Sequence, residues 1–113
     1  MARRFQPQLV MVSAGYDAHW ADQISSMEMD VDGYAQIATV LKELAGELCG
    51  GRLLFSLEGG YNLEALSYSI KATLDVLLGG QRTDEPLGPA SARRKPSSID
   101  PIVDAIKKFH GLS

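Results

Sequence analysis

Cysteine is nearly missing from this chain of 113 residues, where Cys49 stands alone. One thiol excludes a disulfide framework and any zinc site built from cysteines. Long apolar runs are missing too: none approaches the ~18–20 residues that a membrane-spanning helix requires. No apolar stretch of secretory type follows Met1-Ala2-Arg3-Arg4. There is no excess of positive charge, because 11 Lys and Arg stand against 14 Asp and Glu for a net −3. That balance gives no reason to expect direct nucleic-acid binding. Histidine occurs only as His19 and His110. What remains, at 45% hydrophobic and 22% charged, is ordinary globular usage. The arithmetic leads us to expect one soluble, cytoplasmic domain with a modest core.

Leu9-Val10-Met11-Val12 is a short continuous apolar run after Pro7, closed by Ser13-Ala14-Gly15. Apolarity on both faces predicts a strand buried in a parallel sheet. A polar loop follows to about Asp30. Val31, Tyr34, Ile37, Leu41, Leu44 and Leu48 then trace one stripe of an amphipathic helix, with Asp30 as N-cap and Gly50-Gly51 as the stop. Leu53-Leu54-Phe55-Ser56-Leu57 predicts a second buried strand, running into Glu58-Gly59-Gly60-Tyr61-Asn62. Leu63, Leu66, Ile70, Leu74 and Leu77 mark a second amphipathic helix, closed by Gly79-Gly80. Strand, helix, strand, helix is the pattern of two parallel strands joined by a helical crossover. The two glycine-containing loops then follow the C-terminal ends of the strands, where α/β proteins place ligands.

Residues 81–97 change character, with Pro86, Pro89, Pro96 and the cluster Arg93-Arg94-Lys95. They predict an irregular surface linker between a domain over 1–80 and a terminal helix over 98–113. Asp100-Pro101 supplies N-cap and N1 residues for that helix, and Ile102, Val103, Ile106 and Phe109 its apolar face. No internal repeat is visible.

In the first loop, Ser13-Ala14-Gly15-Tyr16-Asp17-Ala18-His19-Trp20, Asp17 lies just past a buried strand, where a carboxylate could bind a cation. The Asp17-x-His19 spacing can chelate one metal. It better suits an Asp bonded to its own loop beside a solvent-facing His. In the second loop, Gly59-Gly60 lets the backbone approach a ligand closely. Tyr61 at the start of the helix can carry a proton-donating hydroxyl into the same cleft. A tight turn with Tyr61 packed on the helix, or an anion cradle at the helix N-terminus, fits the same residues.

Taken together, Pro7 to His19 and Leu57-Glu58-Gly59-Gly60-Tyr61-Asn62-Leu63, separated by one crossover helix, resemble the histone deacetylase and acetylpolyamine amidohydrolase superfamily. The likeness is to the class II and bacterial branches, and it covers roughly residues 7–80. It implies the C-terminal βαβα portion of an arginase-like, three-layer α/β/α domain that hydrolyses an acetyl amide of lysine or a polyamine with a zinc-bound water. By this resemblance Asp17 matches a zinc ligand, and Tyr61 the tyrosine that polarises the substrate carbonyl. Gly59 and Gly60 match the glycines lining the acyl channel, and His19 a loop histidine that is not a ligand. Gln23 departs from the pattern, which has proline there.

The family's Asp-x-His ligands and adjacent-histidine base have no counterpart among these residues. One carboxylate is too few for a catalytic zinc site, which needs about three protein ligands. The chain is therefore expected to hold Zn2+ and act on an acetylated substrate only with the rest of the domain. A second expectation is a non-catalytic α/β interaction module. Either needs a cover for its sheet, from the rest of the domain or from self-association.

Overall fold

A computed structural model describes residues 1–80, 84–90 and 98–112. Six elements follow in order: α1 Ala2–Phe5, β1 Val10–Gly15, α2 Val31–Cys49, β2 Leu53–Gly59, α3 Leu63–Leu77 and α4 Asp100–His110. The strands pair in parallel, as the helical crossover between them requires. Their register runs from Val10↔Leu53 to Ala14↔Leu57 and then shifts, so that Gly15 faces Gly59 and Glu58 is left over. A one-residue irregularity of this kind bends the end of the strand and re-aims the residues beyond it. Here it lies where the two loops begin.

Local chemistry sets the helix limits. The Asp30 carboxylate accepts the Gly33 N–H at 2.9 Å and starts α2. Gly50, in the left-handed region at φ 61°, stops it. Asn62 does for α3 what Asp30 does for α2, accepting the Ala65 N–H at 3.0 Å. The cap of α4 is one residue earlier than expected. Ile99 is the N-cap, Asp100 is already helical, and the Asp100 N–H donates to Ser98 Oγ at 3.2 Å. The four-residue α1 has no sequence signal, being too short for periodicity.

Packing covers the two strands on one face only, among the described residues. Val12, Ala14 and Phe55 pack with Tyr16, with Tyr34 of α2 and with Leu66 and Ile70 of α3, all on one side of the sheet. The opposite side is bare, with Met11 68% and Leu54 48% exposed. Two strands and two helices make two layers, and a third layer is what would cover that side.

The helix stripes are also turned from their expected orientation. On α2 the buried positions are Val31, Tyr34, Ala35, Ala38, Ala45 and Cys49, while Ile37 of the expected stripe is exposed. On α3 they are Ala65, Ser69, Ala72 and Thr73, while Leu63 and Leu74 are exposed. The helices meet through small side chains, Val31 and Ala35 against Ala72, which permit close approach. The larger leucines sit at the margins. Nothing on α4 is buried. Of the expected linker, residues 84–90 are described and form neither helix nor strand, whereas Arg93-Arg94-Lys95 lie outside the described residues. No helix among the described residues is long and apolar enough to cross a membrane.

Candidate active site

Both loops leave the same end of the sheet. The Tyr16 N–H donates to the Gly59 carbonyl at 2.8 Å, carrying the strand pairing one step into them. Tyr16 then turns inward, only 5% exposed, and its hydroxyl donates to Thr73 Oγ1 at 3.1 Å. Thr73 passes the chain on to the Ser69 carbonyl at 3.0 Å. A buried phenol needs such a partner. With Tyr16 anchored, Asp17 is left half-buried at the strand ends.

The Asp17 carboxylate rests against two glycines. A Cβ at Gly59 would lie 2.7 Å from Asp17 Oδ2, and a Cβ at Gly15 3.1 Å from Oδ1. Glycine at 59 is thus the absence of a side chain, and that absence makes room for Asp17. Gly60 answers a different need. Its φ of +136° suits glycine, and a Cβ there would lie 2.6 Å from Leu66 Cδ1. Under this loop, burial and then the Asp17 charge push the Tyr34 phenol up to about 12. Its hydroxyl is buried, and the backbone of Ala18 and His19 beside it offsets part of that rise.

His19 is fully buried, not solvent-facing. Its Nδ1 accepts the Ala21 N–H at 3.1 Å, which places the ring proton on Nε2. Nε2 faces Glu85 Oε2 at 3.6 Å. Neither nitrogen is offered to Asp17, so the chelating alternative for Asp17-x-His19 has no geometric basis. Glu85 Oε2 also accepts the Val31 N–H at 2.7 Å, at the first residue of α2. Trp20 adds a second tie to the same segment, donating from Nε1 to the Gly88 carbonyl at 3.1 Å.

Asp22, which spacing alone did not mark, joins the two loops. Its carboxylate accepts from the Tyr61 N–H at 2.7 Å and the Asn62 N–H at 2.9 Å through Oδ2, and from the Ile24 N–H at 3.0 Å through Oδ1. Burial alone would raise its pKa. Backbone N–H groups of Ile24, Tyr61, Asn62 and Gln23 reverse that and hold it below the usual value. This carboxylate thus binds the N–H of Asn62, the N-cap of α3, and that of the residue before it, while Asn62 Oδ1 takes the Ala65 N–H. Tyr61 itself is 63% exposed.

The structure therefore brings Asp17 and Gly59 into contact, with Gly60 and Tyr61 next along the chain. It does not gather a metal site. Among the described residues, no group of three or more His, Cys, Asp or Glu could hold an ion. One carboxylate does not fit a catalytic metal by itself, and no metal-dependent step is assigned to these residues alone.

A parallel α/β unit whose two loops meet in a carboxylate against a glycine pair is the class of protein that this geometry defines. The comparisons name the class. Residues 1–77 match the family model of the histone deacetylase domain. Histone deacetylase 10, chloroplastic, of Oryza sativa is 40% identical over 116 residues, covering 98% of this chain and 26% of that protein. Histone deacetylase 14, chloroplastic, of Arabidopsis thaliana is 49% identical over 78 residues, covering 69% of this chain and 18% of that protein. The solved structure of the histone deacetylase Clr3 superposes with a TM-score of 0.72 at 29% identity, over 99% of this chain and 18% of that one. The chain belongs to the histone deacetylase family. It spans about a quarter or less of the length of these relatives.

Proposed function

We propose that this chain supplies the carbonyl-polarising side of a zinc-dependent deacetylase site and is inactive alone. The observation that carries this reading is Asp17 seated against Gly59, two residues before Tyr61, in a chain whose residues 1–77 match the histone deacetylase domain. In this reading the Tyr61 hydroxyl donates to the carbonyl oxygen of an acetylated lysine or polyamine as negative charge develops there. A donor so placed is worth typically ~3–4 kcal/mol of barrier. Gly59 and Gly60 line the channel for the acyl group. Asp17 is one of the zinc ligands, and the rest of the domain supplies the others together with the general base. The arginase-like three-layer architecture and a cytoplasmic location belong to the same proposal.

The test has two arms. Alone, the chain is expected to retain no stoichiometric zinc and to leave acetyl-lysine peptides and acetylpolyamines intact. One tightly bound zinc with turnover would overturn the claim of an incomplete site. With the remainder of a deacetylase domain restored, Tyr61→Phe is expected to depress kcat far more than it changes KM. An unchanged kcat removes Tyr61 from the mechanism.

A second reading, a non-catalytic module that needs a partner, draws support from the bare sheet face around Met11 and Leu54. Both readings require that face to be covered, by the remainder of the domain or by a second copy. Sedimentation that finds a stable, well-folded monomer would count against both.

A further inference from the structure

Asp22 carries an inference that deepens the reading of Tyr61 and rests on it. Asp22 is only 6% exposed. Its Oδ2 takes the N–H groups of two consecutive residues, Tyr61 and Asn62, at 2.7 and 2.9 Å. The contact is returned by Asn62 Nδ2, which donates to the Ala21 carbonyl at 3.1 Å. Two separate loops are thus sewn together on both sides of one short stretch of backbone.

We infer that Asp22 is the positioning residue of Tyr61: it fixes the backbone that carries the phenol and touches no reacting atom itself. The physical case has three parts. Asn62 is the N-cap of α3 and Tyr61 the residue before it, so neither N–H has a partner within the helix, and negative charge is favoured at that end. A charge-assisted hydrogen bond is roughly twice as strong as a neutral one. The segment needs such a restraint, because Gly60 at φ +136° has the backbone freedom of glycine and the exposed Tyr61 ring is little fixed by packing.

The experiment uses the full 113-residue chain, in wild-type, Asp22→Asn and Asp22→Ala forms. Amide hydrogen exchange at Tyr61 and Asn62 is compared with that at Ala38 and Ala72, both buried in the helices at 1% exposure. In Asp22→Ala, exchange at Tyr61 and Asn62 is expected to accelerate at least about tenfold more than at the two reference amides, as loss of a charge-assisted bond should give. Asp22→Asn, which keeps an acceptor without the charge, is expected to fall between. Unchanged exchange at Tyr61 and Asn62, or a rise only in step with Ala38 and Ala72, overturns the proposal, because a purely global role moves all four together. If Asp22→Ala does not fold, the isosteric Asp22→Asn is judged by the same comparison. Tyr61→Phe leaves these amides in place. The catalytic reading can therefore fail while the clamp stands, and the clamp can fail while Tyr61 remains catalytic.

Discussion

Replacing Gly59 with alanine should separate the space at that position from its backbone. The φ of Gly59 lies outside the left-handed region, so alanine meets no strain there, unlike at Gly60. The new methyl would lie 2.7 Å from Asp17 Oδ2, about 0.7 Å short of the 3.4 Å at which ordinary contact begins. Something must give. Either the Asp17 carboxylate swings away or the strand ends part, and overpacking of this kind costs about 1–3 kcal/mol. Against this, an alanine in an unstrained backbone gains about 0.4–1 kcal/mol by restricting the unfolded chain. A net loss of about 1 kcal/mol is expected, with a displaced carboxylate. Urea unfolding reads the first, and the 13Cγ resonance of Asp17 reads the second. Gly46→Ala is the control: that glycine sits inside α2 with nothing within 4 Å of a new Cβ. There alanine should add about 1 kcal/mol through helix propensity alone. If Gly59→Ala proves as stable as Gly46→Ala and leaves the Asp17 resonance unmoved, the account of Gly59 as room for Asp17 is wrong.

Three further outcomes are expected. Thr73→Val strands the buried Tyr16 hydroxyl and should cost about 1–3 kcal/mol; Tyr16→Phe in the same chain should recover most of it, and additivity in the double-mutant cycle would show that the pair is not coupled. Glu85→Ala removes the acceptor of the Val31 N–H and the group facing His19. It should cost about 1 kcal/mol, as lost helix caps do, and raise acrylamide quenching of Trp20, the single tryptophan, whereas unchanged quenching would refute the tie. The Asp22 carboxyl sits below its usual value in the fold, so its stabilisation is complete above the ordinary carboxylate range, about pH 4, and is lost as the pH falls below it. Asp22→Asn should flatten the acid limb of the stability curve, and an unaltered limb would contradict the shift.

The elements were largely legible in the sequence, because caps and periodicity are local. Asp30 and Gly50 act within a few residues of themselves, and the structure places them as the limits of α2, whereas Asn62, read as loop, proves to be the N-cap of α3. The orientation of the helices was less legible. Apolar periodicity picks out leucines, whereas close helix packing buries Ala35, Ala65 and Ala72, whose small size carries little weight in such a count. The need for a cover on the sheet was legible, because strands apolar on both sides record it; which face this chain's own helices would fill was not. Of the site, Asp17, Gly59, Gly60 and Tyr61 were marked by motif. The contact of Asp17 with Gly59, the three N–H groups on Asp22 and the burial of His19 against Glu85 all join residues 39 or more apart, or a loop folded on itself. No spacing rule reaches those. The nearest hint was Asp22 beside Gln23, where the family pattern has proline.

The leftover Glu58 divides β2 into two stretches under different demands. Strand residues are tied to one another by alternation, so a change of phase anywhere propagates to the end. Opposite Ala14 and Gly15 that counting is interrupted, since Leu57 completes one register and Gly59 begins the next. Before the interruption Phe55 answers to the helices beneath it, and after it Gly59 answers to Asp17 and the N–H groups of Tyr61 and Asn62 to Asp22. The interruption resets the alternation, so the phase of side chains under the sheet does not dictate which way the residues from Gly59 onward face.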